Sequence, residues 1–333
     1  MSKSPYQSLP AQAFWRSAVA EAGLFGLADL WKSPWILPAD AVFVTYGSCF
    51  AQHISRALLS RKLNWLNAEP APGGTSDGLA RKYNYGIFSA RTGNIYTAAQ
   101  MLTWARLAAG LDQADSVELW TDAQGYVHDL LRPKIEPQGF ADASAAHASV
   151  ESTRRAFLRS VRDSDVFVFT LGLTEGWVNL ETGRSYAICP GTSVGTFNPD
   201  IHAFRNYSYP EIMADLETAF DLLRGINPDL KILLTVSPVP LVASASGHHV
   251  LTATQYSKSV LRAVAGDLAQ HAGHIDYFPS YEIIAAPSGR GTFFEPNMRS
   301  VAQQGVDFVM SHFFRGLNVS GPARPSGPDA ATL

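Results

Sequence analysis

Two adjacent side chains with nucleophilic atoms occur at Gly47-Ser48-Cys49, between an apolar run at residues 41–46 and a helical pattern at residues 50–61. A nucleophile on a tight turn between a strand and a helix exposes its reactive atom, and the helix N-terminus favours negative charge there. A cysteine can then supply a thiolate directly, whereas a serine needs a positioned base or instead caps the helix. If Gly47 forms the turn, the residue two positions later faces the strand edges, so the register favours Cys49 as the nucleophile over Ser48.

Histidines and an acidic side chain follow other apolar runs and are candidates for the base. His248 and His249 come shortly after a run that ends at residues 237–240, and His202 lies in a less regular segment. We favour His249 as the base and Glu175 as the carboxylate that orients it. The alternative is that these histidines are surface-loop residues and Glu175 a solvated acid.

An alternation of apolar strands and amphipathic helices positions these residues. Strand patterns occur at residues 41–46, 165–172, 230–238 and 274–279, and helical periods at 50–61, 149–161, 210–223, 254–269 and 301–314. This alternation predicts an α/β fold in which helices cover both faces of a parallel sheet. Ligands of such sheets bind beyond the carboxyl ends of the strands, where the candidate residues are expected.

The chain divides into an extension, one large domain and a tail. In residues 1–37, apolar side chains at near-helical spacing predict a helix over residues 12–31. Residues 38–315 form the predicted α/β domain, with inserted hairpins around Ala123-Gln124-Gly125 and across residues 177–188. Residues 316–333 are rich in Pro, Gly, Ser and Ala, and we expect them to be disordered.

The composition argues against several classes of function. The 333 residues carry 26 basic and 29 acidic side chains, with no basic run to follow a phosphate backbone, so we expect no nucleic-acid partner. We see neither a signal peptide nor an apolar stretch long enough to span a bilayer, and therefore expect a cytoplasmic protein. Cys49 and Cys189 are the only cysteines, and no metal-site spacing or nucleotide-binding fingerprint occurs, so we expect neither a metal nor a cofactor.

The motif Tyr46-Gly47-Ser48-Cys49-Phe50-Ala51 resembles the one that names the GSCFA family, a bacterial group related to the SGNH hydrolases. The resemblance runs over residues 38–314 and includes the segments at 83–88, 170–175, 237–240 and 277–282. It implies an SGNH-hydrolase-like, flavodoxin-like parallel sheet. It also places Cys49 where SGNH enzymes have their nucleophilic serine.

The same resemblance implies an oxyanion site at Gly86 and Thr174, with Asn84 as a nearby alternative to Gly86 and with Gly172 in the turn before Thr174. SGNH enzymes have an asparagine at the position of Thr174, and a threonine hydroxyl is shorter than that amide. They also carry Asp-x-x-His before the last helix, where this sequence has no histidine at residues 294–300. Alternatively, the two glycines serve only as turn residues.

Three hypotheses follow for the function. The resemblance implies an esterase or O-acyltransferase that attacks an acylated small molecule or carbohydrate through Cys49 or Ser48, with Trp177 as a wall of the ligand site. The missing histidine motif and Thr174 instead favour a non-catalytic binding module with the same fold. A reversible disulfide between Cys49 and Cys189 would need Cα atoms within about 7 Å. The sequence specifies no oligomeric state.

Overall fold

Ten strands occur within residues 4–319, the part of the chain that this computed structural model describes. They are β1 (Val42–Gly47), β2 (Asn64–Trp65), β3 (Leu119–Thr121), β4 (Val127–Asp129), β5 (Val166–Leu171), β6 (Glu175–Asn179), β7 (Ser185–Tyr186), β8 (His202–Asn206), β9 (Lys231–Val236) and β10 (Ile275–Tyr277). The α-helices of the same residues are α1 (Ala51–Ser60), α2 (Asp77–Lys82), α3 (Ala98–Ala108), α4 (Ala143–Arg162), α5 (Tyr209–Ile226), α6 (Val250–His271), α7 (Ser280–Ala285) and α8 (Gln303–Gly316).

The central sheet has five parallel strands in the order β10-β9-β5-β1-β2. The strand order reverses between β1 and β5, as in flavodoxin-like sheets, and ligands of such sheets bind at this switch point. Every residue of β5 is buried, because helices cover both faces and leave no side that favours polar residues. The predicted α/β fold class, a parallel sheet with helices on both faces, is therefore confirmed.

Two layers of apolar side chains lie on opposite faces of this sheet. Val44 and Tyr46 of β1 point to one layer, where Phe157 of α4 and Phe167 also pack. The intervening residue Phe43 points to the other layer, which contains the buried faces of α1, α7 and α8. Alternate residues of a strand point to opposite faces, so one apolar strand contributes to both layers.

Two small antiparallel sheets decorate the domain, one of β3 and β4 and the other in the order β7-β6-β8. They confirm the hairpins predicted around residues 123–125 and 177–188. The sequence did not indicate β8, since its residues His202–Asn206 are mostly polar, nor the two-residue β2.

The N-terminal extension differs from the single helix predicted over residues 12–31. It forms short turns, among them Arg16–Ala20 and Leu24–Gly26. Positive φ angles at Gly23 (66°) and Asp29 (52°) interrupt any continuous helix. The extension is nevertheless attached to the domain, because the Trp31 ring stacks on Phe313 of α8.

The first residues of the predicted disordered tail have a defined structure. Gly316 is the last residue of α8, and Val319 forms a parallel bridge with Leu37. The prediction for residues 320–333 lies outside the described residues.

Candidate functional site

Gly47 makes the turn at the end of β1 that presents the candidate nucleophiles. Its φ is 125°, and a Cβ atom there would lie 2.3 Å from the carbonyl oxygen of Thr170 on β5. The Ser48 amide donates to the same oxygen at 3.1 Å, and the Ile95 amide donates to the Gly47 carbonyl at 2.9 Å. The turn is therefore held from both sides, at the switch point of the sheet, and only glycine fits it.

Ser48 and Cys49 differ in accessibility. Ser48 is 3% exposed, and its hydroxyl has no hydrogen-bond partner among residues 4–319. A Cβ atom added to Gly172 would lie only 3.1 Å from the Ser48 Cβ, so these two residues are closely packed. Cys49 is partly exposed and is a free thiol. Of the two, Cys49 is the one that a ligand in front of the sheet can reach.

Two backbone amides next to the start of α1 have no acceptor among residues 4–319. The amides of Cys49 and Phe50 donate no hydrogen bond to any described residue, whereas the next amide, of Ala51, donates to the Ser48 carbonyl at 2.9 Å. Unpaired amides at a helix N-terminus are suited to binding an oxyanion. A carbonyl oxygen under attack by the Cys49 sulfur would develop its negative charge beside the Cys49 amide.

Lys258 of α6 lies behind this turn and was not singled out from the sequence. It is 1% exposed, and its Nζ donates to the Gly172 carbonyl at 2.7 Å. Burial lowers the pKa of Lys258 to about 7, with an opposing influence from the nearby charge of Cys49 and a smaller lowering by Arg299. A clue was present in the sequence, because Lys258 falls three residues before Leu261 and seven before Ala265 on the apolar face of its helix.

Tyr96 and Arg299 complete the surroundings of Cys49. Burial raises the pKa of Tyr96, the charge of Cys49 raises it further, and Arg299 lowers it. The Arg299 Nε donates to the Pro240 carbonyl at 3.1 Å. Arg299 belongs to the segment at residues 294–300, where the family resemblance led us to look for a histidine, so that segment brings a cation to the site.

A cavity of about 340 Å³ extends from Tyr96 along the face of the small sheet. An aromatic row from the three paired strands, Tyr186, Trp177 and Phe204, forms one wall. Glu175, on the same strand as Trp177, is the only Asp, Glu, His, Lys or Arg side chain in the lining, and it accepts a hydrogen bond from Ser244 at 2.7 Å. Cys189 also lines this cavity.

The residues of the predicted oxyanion site have other contacts. The Thr174 hydroxyl is fully buried and donates to the Asn206 side chain at 2.8 Å. Gly86 is exposed at a turn with a φ of 66°. The Asn84 side chain donates through Nδ2 to the Lys134 carbonyl at 3.2 Å, and Asn84 borders a separate cavity of about 170 Å³. Of this group, Gly172 lies against the turn that carries Ser48 and Cys49.

The candidate histidines are held by other partners. His249 is exposed at the N-cap of α6, where its Nδ1 accepts from the Leu251 amide at 3.2 Å, and His248 next to it is also exposed. His202 is buried, and its ring packs edge-on against Tyr186. Within residues 4–319, no histidine is hydrogen-bonded to Ser48 or Cys49.

Two further types of feature were searched for in the same part of the chain. No group of three or more His, Cys, Asp or Glu side chains in residues 4–319 is arranged to hold a metal ion. No helix among those residues has the length and apolar character that crossing a membrane requires.

The fold and the turn define a class of protein: a flavodoxin-like α/β domain with a thiol between a central strand and its helix, at the switch point of the sheet. The model of the GSCFA family matches residues 42–313, and the chain belongs to that family. The match confirms the resemblance found in the sequence. A search of curated proteins gives no match.

Among solved structures, the chain is similar to two carbohydrate esterases of family 3. The one from Talaromyces cellulolyticus is 9% identical, with a TM-score of 0.38, and the similarity covers 82% of this chain and 94% of the esterase. The one from Clostridium thermocellum is 9% identical, with a TM-score of 0.35, covering 83% and 94%. The periplasmic domain of a lipopolysaccharide acetyltransferase from Salmonella ser. Paratyphi A is 10% identical, with a TM-score of 0.32, covering 94% and 98%.

Proposed function

We propose that this protein is an esterase or O-acyltransferase whose nucleophile is Cys49. One observation carries the proposal: the accessible thiol lies at the switch point of the sheet, beside two backbone amides that have no partner among the described residues. A nucleophile and preorganised oxyanion donors are the two requirements of acyl transfer. The names of the structurally similar esterases and acetyltransferase agree with this chemistry but do not carry it.

The reaction would proceed in two half-reactions. The Cys49 sulfur, after losing its proton, attacks the carbonyl carbon of an ester, and the amides of Cys49 and Phe50 bind the resulting oxyanion. The bond between the carbonyl carbon and the ester oxygen then breaks. The alcohol leaves with a proton, and the acyl group remains on Cys49 as a thioester. Water, or the hydroxyl group of an acceptor, attacks this thioester, releases the acid or a new ester, and restores the thiol.

We assign the substrate to the cavity that begins at Tyr96. Its aromatic row offers a stacking surface, and the Glu175 carboxylate can accept hydrogen bonds from hydroxyl groups. An acylated small molecule or carbohydrate combines an apolar ring face with such hydroxyls. Trp177 would then bind the substrate, and Glu175 would orient it rather than a histidine.

A non-catalytic binding module is the second candidate. The Thr174 hydroxyl is already bound to Asn206, and no histidine is hydrogen-bonded to either nucleophile within residues 4–319. In this reading the same cavity would hold a ligand without cleaving it.

The nucleophile is tested by measuring acid released from p-nitrophenyl acetate and from acetylated sugars, and acetyl transfer between sugars. We expect Cys49→Ala to lose activity by about 1000-fold or more, because the acceptor of the acyl group is removed. Ser48→Ala should retain a measurable fraction, since the Ser48 hydroxyl is buried.

The opposite pattern, full activity in Cys49→Ala and none in Ser48→Ala, would make this a serine enzyme. Wild-type protein that binds acetylated sugars by calorimetry but neither hydrolyses nor transfers any acyl group would instead be a binding module. Trp177→Ala should weaken ligand binding whether the protein is an enzyme or a binding module. This variant therefore tests the cavity and not the identity of the nucleophile.

A further inference from the structure

Lys258 is a buried lysine that has no acidic partner among residues 4–319. Its side chain is 1% exposed, and its only hydrogen bond among the described residues is the one to the Gly172 carbonyl. Buried lysines are normally paired with a carboxylate, because an isolated charge in the interior costs several kcal/mol. The neutral amine avoids this cost, and burial lowers the pKa of Lys258 accordingly.

Lys258 is held against the turn that carries Ser48 and Cys49, because its Nζ donates to the Gly172 carbonyl and Gly172 lies against the Ser48 side chain. The charges that act on Lys258 from other elements are those of Cys49, which follows β1, and Arg299, which precedes α8. None of the interactions that shift the protonation of Lys258 involves an Asp or Glu side chain. Of the two groups whose charge acts on Lys258, Cys49 is the one that can become an anion.

We propose that Lys258 is the base of this site: its amine takes the proton of the Cys49 thiol and later returns it to the leaving alcohol. This rests on the proposed function. The S–H bond breaks as an N–H bond forms, which gives a thiolate and an ammonium, and the same proton then protonates the departing ester oxygen. The Lys258 Nζ must first turn from the Gly172 carbonyl toward the sulfur, or act through one bridging water.

The ionisation of Lys258 suits this role, because a base works best when its pKa is near the working pH. Burial lowers the pKa of Lys258 to about 7, far below that of an ordinary lysine. The permanent positive charge of Arg299 also lowers the pKa of Lys258, which makes its ammonium form a better donor of the proton to the leaving alcohol.

A purely structural role is the competing explanation. Lys258 fixes the loop after β5 through the Gly172 carbonyl, and its neighbour Ser257 fixes the same loop by accepting from the Thr174 amide at 3.0 Å. Ser257→Ala therefore provides a matched control, since it removes one attachment of this loop and leaves the ammonium in place.

The first test is the rate of Cys49 alkylation by iodoacetamide between pH 5 and 10, with peptide mapping to separate Cys49 from Cys189. In Lys258→Met we expect alkylation at neutral pH to fall about tenfold and its rise to move to higher pH, because the thiolate loses its counter-charge. Ser257→Ala should behave like the wild type. An unchanged profile in Lys258→Met would overturn the proposal.

Lys258→Arg separates charge from proton transfer. A guanidinium keeps the positive charge but cannot accept a proton, so alkylation at neutral pH should persist while ester cleavage is lost. Full cleavage by Lys258→Arg would exclude Lys258 as the base and leave the function of Cys49 intact. If the wild type cleaves no ester but its alkylation profile depends on Lys258, the proposed function is wrong. The interaction between Lys258 and Cys49 would then still stand.

A second measurement applies if the lysine variants do not fold. The Nζ signal of Lys258 can be followed by NMR in protein labelled with ¹⁵N-lysine, at increasing pH. Since the charge of Cys49 raises the pKa of Lys258, Cys49→Ala should lower the midpoint of that signal. A midpoint that does not move would contradict the coupling.

Discussion

Gly47 is the residue on which the geometry of the site depends. The turn requires both a positive φ and room for the Thr170 carbonyl, and the second requirement is the stricter one. A methyl group on residue 47 would clash with the Thr170 carbonyl oxygen at 2.3 Å, and relieving this clash requires β1 to move away from β5. The position of Cys49 is thus tied to the pairing of the two central strands.

We predict that Gly47→Ala lowers the free energy of unfolding by more than about 3 kcal/mol, the sum of backbone strain and the clash. Gly183→Ala is the control, since Gly183 has a φ of 70° but no atom within 4 Å of an added Cβ. It should cost only about 1 kcal/mol. Urea unfolding measures both, and equal losses would show that strain alone matters at Gly47.

At the same scale, the sequence indicated some site residues and not others. The turn that carries Ser48 and Cys49 was predictable because a strand, a glycine and a helix follow one another within a few residues. Lys258 and Arg299 were not, because they lie more than 200 residues from Cys49 along the chain and come near it only through the fold. The buried contact of Thr174 with Asn206 likewise depends on β8, which has no strand pattern in the sequence.

Among the elements, helix α5 combines a strong N-terminus with an unfavourable pair of acids. Ser208 and Glu211 form a capping box, and their hydrogen bonds lower the pKa of Glu211 to about 2. Asp215 lies one turn later. Burial, and then the charge of Glu211, raises the pKa of Asp215 to about 6.

We predict that Asp215→Asn stabilises the protein at pH 8 and not at pH 3.5. A raised acid pKa means that the folded state holds the proton more tightly than the unfolded state, so stability is lost as the pH rises through about 6. Replacing the acid should restore on the order of 1 kcal/mol at pH 8, allowing for solvent screening. The exposed Glu217 on the same helix gives the control Glu217→Gln. A gain that is equal at both pH values would contradict the assignment.

Elements were predictable where one physical pattern dominates. Buried strands such as β5 are continuously apolar, and long helices such as α4 repeat apolar residues at helical spacing. Helix α3 was missed because it is apolar on most sides: it is buried against α4 and α5 and so lacks a contrasting polar face. The boundaries of the other helices differed mainly because caps, such as Asp142 before α4, lie outside the apolar period.

At the scale of the whole molecule, Trp31 joins the N-terminal extension to the last helix. Its ring stacks on Phe313 and meets Phe278 edge-on, and its indole nitrogen donates to Asp276 at 2.8 Å. The chain passes so close that a Cβ on Gly316 would lie 2.3 Å from the Trp31 carbonyl. The extension is therefore packed as part of the domain.

We predict that Trp31→Ala lowers the free energy of unfolding by about 3 kcal/mol, through lost packing and a lost hydrogen bond. Trp31→Phe keeps a ring and should lose about 1 kcal/mol. Trp15→Ala, which changes an exposed ring of the same extension, should be nearly neutral. Thermal or urea unfolding compares the three variants, and a neutral Trp31→Ala would show that the extension contributes nothing to the domain.

The order of strands in the central sheet also affects how the protein folds during its synthesis on the ribosome. Phe43 of β1 pairs with Val166 of β5. Strand β1, which is apolar on both faces, therefore cannot form this pairing until more than a hundred further residues have been translated. The bridge between Leu37 and Val319 closes later still. Contacts so distant along the chain make folding slow and leave apolar surfaces exposed during synthesis. A nascent chain halted before β5 should therefore be bound by chaperones, and one halted after α8 has emerged should be released.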